Sequence, residues 1–372
     1  PFDHSHLRTY RWGEDGLLGL CDERGLLCLA PVLWNGEDPI LKERLFGLGN
    51  PEGNHGEDIK EAMYHLAGTP TGSYAKALYR YPQTRFPYEQ LREENRRRGR
   101  DQPEFELVDT GVFDAGRFFD LEVEIAKATP EDLLIRYTVT NQGPDAASLH
   151  LLPSLWFRNT WGWGDGDAAR SCIERTDGGV KTSGLPGLPA MELRCNAPGT
   201  WLFTENETNT ESLYGQPLTQ PYVKDAFHRY LIHQDSTAVN PAQKGSRCAL
   251  LLQRQLAAGE VWCVDLRLCR HDRNHASEND WLQPDQASSL LQQRRAEWDD
   301  HLTSVTGAMA ADDRAIHAAA AAGLFWCRKF YNWNVSRWLR GDRTGPTPPE
   351  ARWHTENAYW KTLRSRDVIS MP

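Results

Sequence analysis

The sequence has 372 residues, a formal net charge of -9, 40% apolar residues and 25% charged residues. That is enough chain for about two ordinary folded domains, and the negative charge excludes a nucleic-acid role resting on bulk charge. No apolar run reaches membrane-spanning length and no signal-peptide pattern opens the chain, so a cytoplasmic protein without a membrane partner is expected.

Two compositional features bear on function. The 14 tryptophans fit either a large β-sandwich core or a carbohydrate site. The 8 cysteines form no C-x-x-C pair, and no histidines stand at zinc-finger spacing. No metal or cofactor is therefore expected, and the thiols read as reduced and mostly buried. The basic run ENRRRGR (94–100) is flanked by acidic residues and reads as a solvated loop.

In chain order, residues 10–34 read as two or three strands. Their apolar runs, 17–20 and 26–33, are separated by a turn carrying Asp22 and Gly25. Residues 39–48 are less regular. Residues 49–58 form a polar loop rich in Gly and Asn, which supply special backbone angles. That loop concentrates Glu52, His55, Glu57 and Asp58. It is expected to wall a pocket rather than run catalysis, with Glu52 and His55 as candidate substrate contacts. A short helix is expected over 91–98.

From Phe105 the strand pattern strengthens. Phe119, Leu121, Val123 and Ile125 alternate with Asp120, Glu122 and Glu124; Leu133, Ile135, Tyr137 and Val139 repeat the alternation. With 148–157 these make a three-stranded meander, the unit of a sandwich and an argument against a parallel α/β sheet. The stretch WFRNTWGWGDGD (156–167) either binds sugar or closes one end of the sandwich. Its Asp165-Gly166-Asp167 lacks the other ligands of an EF-hand loop. Residues 248–255 and 260–270 read as a hairpin, with Trp262, Val264, Leu266 and Leu268 on one face.

A change of character puts a boundary near 275: a β domain over 1–275, a helical linker over 276–310, and a further unit over 311–372. Pro284 suits the first position of a helix, whose face would carry Leu291, Trp298, Leu302 and Val305. An Ala-rich helix follows, its start marked by Asp312 and Asp313. It is expected to run into a loop dense in aromatics and cations. There Trp333, Asn334, Trp338 and Arg340 set flat rings beside amide and guanidinium donors, a candidate sugar-binding wall; the alternative is that the rings are core. The terminal apolar stretch reads as the interior of a longer protein.

Ordered segments resemble a known family. YRWGEDGL (10–17), LWNGEDPILKERLFGL (33–48), NPEGNHGEDIKE (50–61), RYPQTRFPYEQL (80–91), EFELVDTGVFD (104–114), LHLLPSLWFRNTW (149–161), FYNWN (330–334) and RDVISMP (366–372) resemble bacterial proteins of glycoside hydrolase family 63, described as glucosidases or mannosyl-oligosaccharide glucosidase-like. The resemblance implies a mainly β fold: an antiparallel β-super-sandwich, linker helices and the start of an (α/α)6 barrel. It implies inverting hydrolysis of α-linked oligosaccharides or small glucosides by a carboxylic acid and a carboxylate base, set roughly 6.5–9.5 Å apart to admit water. In the family both lie beyond the segment matching VISMP, so residues 1–372 alone are expected to be inactive and to pair with a C-terminal barrel of the same protein. The region 343–356 departs from the family pattern. The competing readings are a non-enzymatic carbohydrate-binding sandwich and a purely structural one.

Overall fold

The computed structural model describes residues 5–12, 16–49, 58–163, 170–183, 187–271, 282–341 and 346–369. Glu52, His55 and the boundary near 275 lie outside these residues.

The chain builds two facing antiparallel sheets. The smaller runs Leu20–Cys21, Leu27–Trp34, Ala147–Phe157, Arg247–Leu256, Thr200–Thr204 in spatial order. The larger has nine strands, in the order Lys244–Gly245, Ile173–Arg175, Gly179–Thr182, Met191–Cys195, Val261–Arg270, Asp132–Asn141, Phe118–Thr129, Tyr74–Pro82, Ala62–Gly68. The strand pairs are antiparallel.

The expected alternation fixes the core. Phe119, Leu121, Val123, Ile125, Leu133, Ile135, Tyr137, Val139 and Trp262, Val264, Leu266, Leu268 all point inward. They meet Leu27, Leu29, Leu33, Leu151, Leu155, Phe157 and Leu250 of the smaller sheet. Because side chains alternate faces along a strand, the same strands turn charges outward. Cross-strand pairs hold these: Arg80 Nε donates to Asp120 at 2.9 Å, Arg136 Nε to Asp265 at 2.7 Å and Arg267 Nη2 to Asp132 at 2.7 Å.

A helix covers part of each outer face. Over the smaller sheet, helix Ala226–Leu231 packs Ala226 and Phe227 on Val32, Leu152, Leu202 and Ala249. Over the larger sheet lies helix Pro284–Thr306, opened by Pro284 as expected. Ala287, Leu290 and Leu291 sit on Ala126 and Leu134; Trp298 and Leu302 sit on Ala67 and Tyr74. Glu124, 1% exposed, accepts the Tyr74 hydroxyl at 2.6 Å and Arg295 Nε at 2.7 Å, so the helix is also tied by charge.

Three expectations need correction. Val305 does not share the buried face: it is 49% exposed and Thr306 is buried in its place, because Thr306, four residues after Leu302, continues the stripe of Trp298 and Leu302. The aromatic stretch after the Ala-rich helix is not a loop. Arg328–Asn334 is a strand paired with Arg364–Ile369, with an irregularity between Phe330 and Trp333 and Asn332 at φ +53°. Its partner lies some thirty residues on, beyond the reach of local pattern. The thiols are all free, but only Cys28, Cys248 and Cys269 are buried.

The Ala-rich helix itself, Ala311–Cys327, starts where Asp312 and Asp313 predict. It packs on the edge strand Ala62–Gly68 and leaves Ile316 and Leu324 exposed. The described residues form a mainly β structure with two long helices.

Two predictions follow from these burials. Arg295→Ala strands the buried Glu124 carboxylate and lowers the urea-unfolding free energy by about 2 kcal/mol; adding Glu124→Gln recovers part of that loss. If the single variant matches wild type, the tie carries no load. The second concerns His228, 4% exposed and stacked on His6 at 4.4 Å. Burial, against the opposing pull of Glu43 and helped by His6, Arg247 and Lys224, lowers its pKa to about 3. The unfolded chain takes up that proton near pH 6.5 and the folded one does not, so stability is full above about pH 6.5 and falls as pH drops towards 3. Urea midpoints measured from about pH 7 to about pH 4 should decline, and decline less in His228→Phe. Equal slopes would place the acid loss elsewhere.

Candidate binding cleft

The cleft forms where the Ala-rich helix meets the sandwich. Close approach requires glycine at position 68: a Cβ there would stand 2.7 Å from the Phe325 side chain. At the next contact the Trp326 indole donates to the Ala67 carbonyl at 3.1 Å, and its ring lies parallel to His65 at 6.0 Å. The chain then reverses into Arg328–Asn334, which carries Phe330 over Gly25 and Arg158.

The space enclosed is about 380 Å³, the size of a small-ligand site. Trp12, Trp156, Trp326, Phe330 and Tyr331 supply aromatic wall, and His65, Arg44, Arg158, Arg328 and Lys329 supply polar groups. The lining includes no aspartate or glutamate among the described residues. His65 is held neutral-leaning, its pKa lowered by burial and then by Lys329.

Cys21 and Cys28 also line the cleft and face each other across the first hairpin. Asp22 N–H donates to the Leu27 carbonyl at 3.2 Å. Cys21 and Cys28 are thus the adjoining non-hydrogen-bonded pair, where facing side chains come closest. A hydrogen bond from the Cys28 thiol lowers the pKa of Cys21; burial and Asp22 oppose it, and Arg158 and Lys329 assist it. Cys21 is exposed as a residue although its thiol is packed against its neighbours, and Cys28 is buried. Among the described residues no group of three or more His, Cys, Asp or Glu gathers to hold a metal ion.

The predicted wall stands beside this space. Trp333 and Trp338 are half-buried and pack on Val335, Leu339 and Ala358, their rings 5.7 Å apart. Trp333 meets Trp12, a cleft residue, at 4.8 Å. Asn334 caps helix Val335–Arg340, its side-chain oxygen accepting from Arg337 N–H at 3.1 Å. Arg340 is exposed and donates to the Ser336 carbonyl and hydroxyl. None of the four lines the cleft. In the second Trp-rich stretch Trp161 packs against the sandwich core and donates to Glu207 at 2.6 Å, while Arg11 lies 4.2 Å over Trp163. Sequence reasoning singled out neither Trp12, His65, Arg158 nor Trp326. The one local signal was Arg158, a cation directly after inward-facing Phe157 where the strand alternation stops.

No family model matches the chain. A protein of Saccharomyces cerevisiae, uncharacterized protein YMR196W, is 35% identical over 414 residues, covering 100% of this chain and 38% of that protein. The chain thus spans less than half the length of this relative. Among solved structures, it is similar to a polysaccharide lyase (14% identity, 68% of this chain, 27% of that one, TM-score 0.30). It is also similar to an Escherichia coli protein described as an aldose 1-epimerase (8% identity, 55% and 67% covered, TM-score 0.27) and a human-microbiome protein described as a kojibiose phosphorylase (9% identity, 82% and 32% covered, TM-score 0.31). Superpositions this loose define neither fold nor activity for this chain.

The thiolate, not the thiol, is the nucleophile, so Cys21 should react with iodoacetamide near neutral pH faster than Cys263, the other exposed cysteine. Cys28→Ala removes the hydrogen bond and should slow labelling of Cys21, read by peptide mass spectrometry. Unchanged labelling in that variant would show that Cys28 does not set the reactivity.

Proposed function

We propose that this chain is part of a carbohydrate-active enzyme, an inverting hydrolase of α-linked glucosides or related α-glycans similar to glycoside hydrolase family 63. The observation that carries the reading is the aromatic cleft at the seam of sandwich and helix. A sugar ring has an apolar face and a hydroxyl rim; indole rings cover the first and cations or amides hydrogen-bond the second. The ordered resemblance over residues 10–372 supports the same reading.

In this reading residues 1–275 are the sandwich, 276–310 the linker and 311–372 the opening of an (α/α)6 barrel. Trp333, Asn334, Trp338 and Arg340, which do not line the cleft itself, contact substrate beyond it, and Glu52 and His55 are further substrate contacts. The acid and base belong to the longer protein, in keeping with a described lining without carboxylates. One carboxyl protonates the leaving oxygen while the other activates water from the opposite side of the ring. The sandwich supports that site and furnishes one wall.

The test compares residues 1–372 with a longer protein that contains them, on α-linked glucose disaccharides, following the anomer first released. Hydrolysis by the longer protein with inversion, and none by 1–372 alone, is expected. Full activity in 1–372, or none in the longer protein on any α-glycan, would overturn the reading.

A further inference from the structure

The aromatic wall suits a neutral sugar, but the charge on the cleft does not need one. Four cations line it, with no carboxylate among the described lining residues. The deepest is Arg158, 2% exposed, whose Nε and Nη1 find no hydrogen-bond partner among the described residues. Its guanidinium lies 5.4 Å from the Phe330 ring, and a Cβ on Gly25 would stand 3.3 Å from Nη1. Carboxylates on the neighbouring turn and ribbon are engaged elsewhere. Asp22 accepts the backbone N–H groups of Arg24, Leu26 and Leu27. Glu23 holds Arg366 at 2.6 Å, and Asp367 faces Arg328 and Arg366. A buried cation without a counter-ion is strongly disfavoured unless a ligand completes it.

We propose that the cleft binds a phosphate-type oxyanion clamped by Arg158, and that its ligand carries this group on a sugar ring packed against Trp12, Trp156 or Trp326. The anion half stands on Arg158 alone; the sugar half rests on the carbohydrate reading above. A guanidinium gives charge-assisted hydrogen bonds to phosphate oxygens, and in Arg158 Nε and Nη1 are donors left for them. Lys329 lines the same cleft. The rings then take the apolar face of the sugar, as in the neutral case.

Inorganic phosphate, glucose 6-phosphate, glucose and maltose are titrated calorimetrically against residues 1–372 and Arg158→Met. Phosphate and the phosphate ester should bind saturably, the ester more tightly, and Arg158→Met should weaken both by at least about tenfold. Neutral sugars binding as well as the ester would overturn the anion inference and leave the carbohydrate reading standing. Phosphate binding with no gain from the sugar would uphold the Arg158 site and overturn its sugar half. A second measurement needs no variant. Phosphate on Arg158 neutralises a cation that favours the Cys21 thiolate, so saturating phosphate should slow Cys21 alkylation in the unaltered protein. Alkylation unchanged at saturation would put the anion elsewhere and overturn the assignment.

Discussion

A carboxylate on the wrong side of a sheet sets the terms for much of this structure. Glu124 lies on the outward face of Phe118–Thr129, between inward-pointing Val123 and Ile125, yet is 1% exposed. A charge that deep persists only when paired and hydrogen-bonded. The Tyr74 hydroxyl from the neighbouring strand and the Arg295 guanidinium from the overlying helix meet that demand. Arg295 is thereby fixed over the sheet, and Leu291 and Trp298 on either side bury the apolar surface that Ala126, Leu134 and Tyr74 would otherwise expose. Polar satisfaction sets the register and apolar burial supplies the driving force.

The helix–sheet tie reaches the cleft through the chain that follows. Pro284–Thr306 ends at Gly307, and the Ala-rich helix returns along the edge strand Ala62–Gly68. Gly68 lets the two backbones come close enough for Phe325 to pack and for Trp326 to reach the Ala67 carbonyl. The following strand lays Arg328 to Tyr331 across the hairpin of Cys21 and Cys28. The cleft is thus a seam between three layers rather than a hollow within one. That accounts for its composition: each layer contributes the side chains it keeps out of its own core, the amphipathic tryptophans and long cations.

The charges of the two sheets contrast with those of the cleft. On the outer sheet face, cations meet carboxylates across strands, as Arg136 meets Asp265 and Arg267 meets Asp132. Inside the smaller sheet's cover, Glu43 meets Arg247 at 2.6 Å. There burial would raise the carboxyl pKa, but Arg247, His228 and Lys224 lower it to about 2. Arg158 meets no carboxylate among the described residues, and it lies where aromatic walls leave room for a ligand.

The sequence by itself determined the sandwich. Alternation at 119–125, 133–139 and 262–268 assigns each side chain to a face, because a strand has a period of two and a face is either buried or not. Pro284, Asp312 and Asp313 marked helix starts through backbone chemistry that acts within one turn. Neighbouring residues could not disclose Arg328–Asn334 as a strand, since the partner that satisfies its backbone is Arg364–Ile369. Nor could they assign Asn334, read as a sugar contact, its part as a helix cap. Trp12, His65, Arg158 and Trp326 are scattered over more than three hundred residues, and only tertiary packing brings them to one space. Local sequence encodes which face a residue occupies; which distant faces meet, and which charges they bring together, is decided when the layers close.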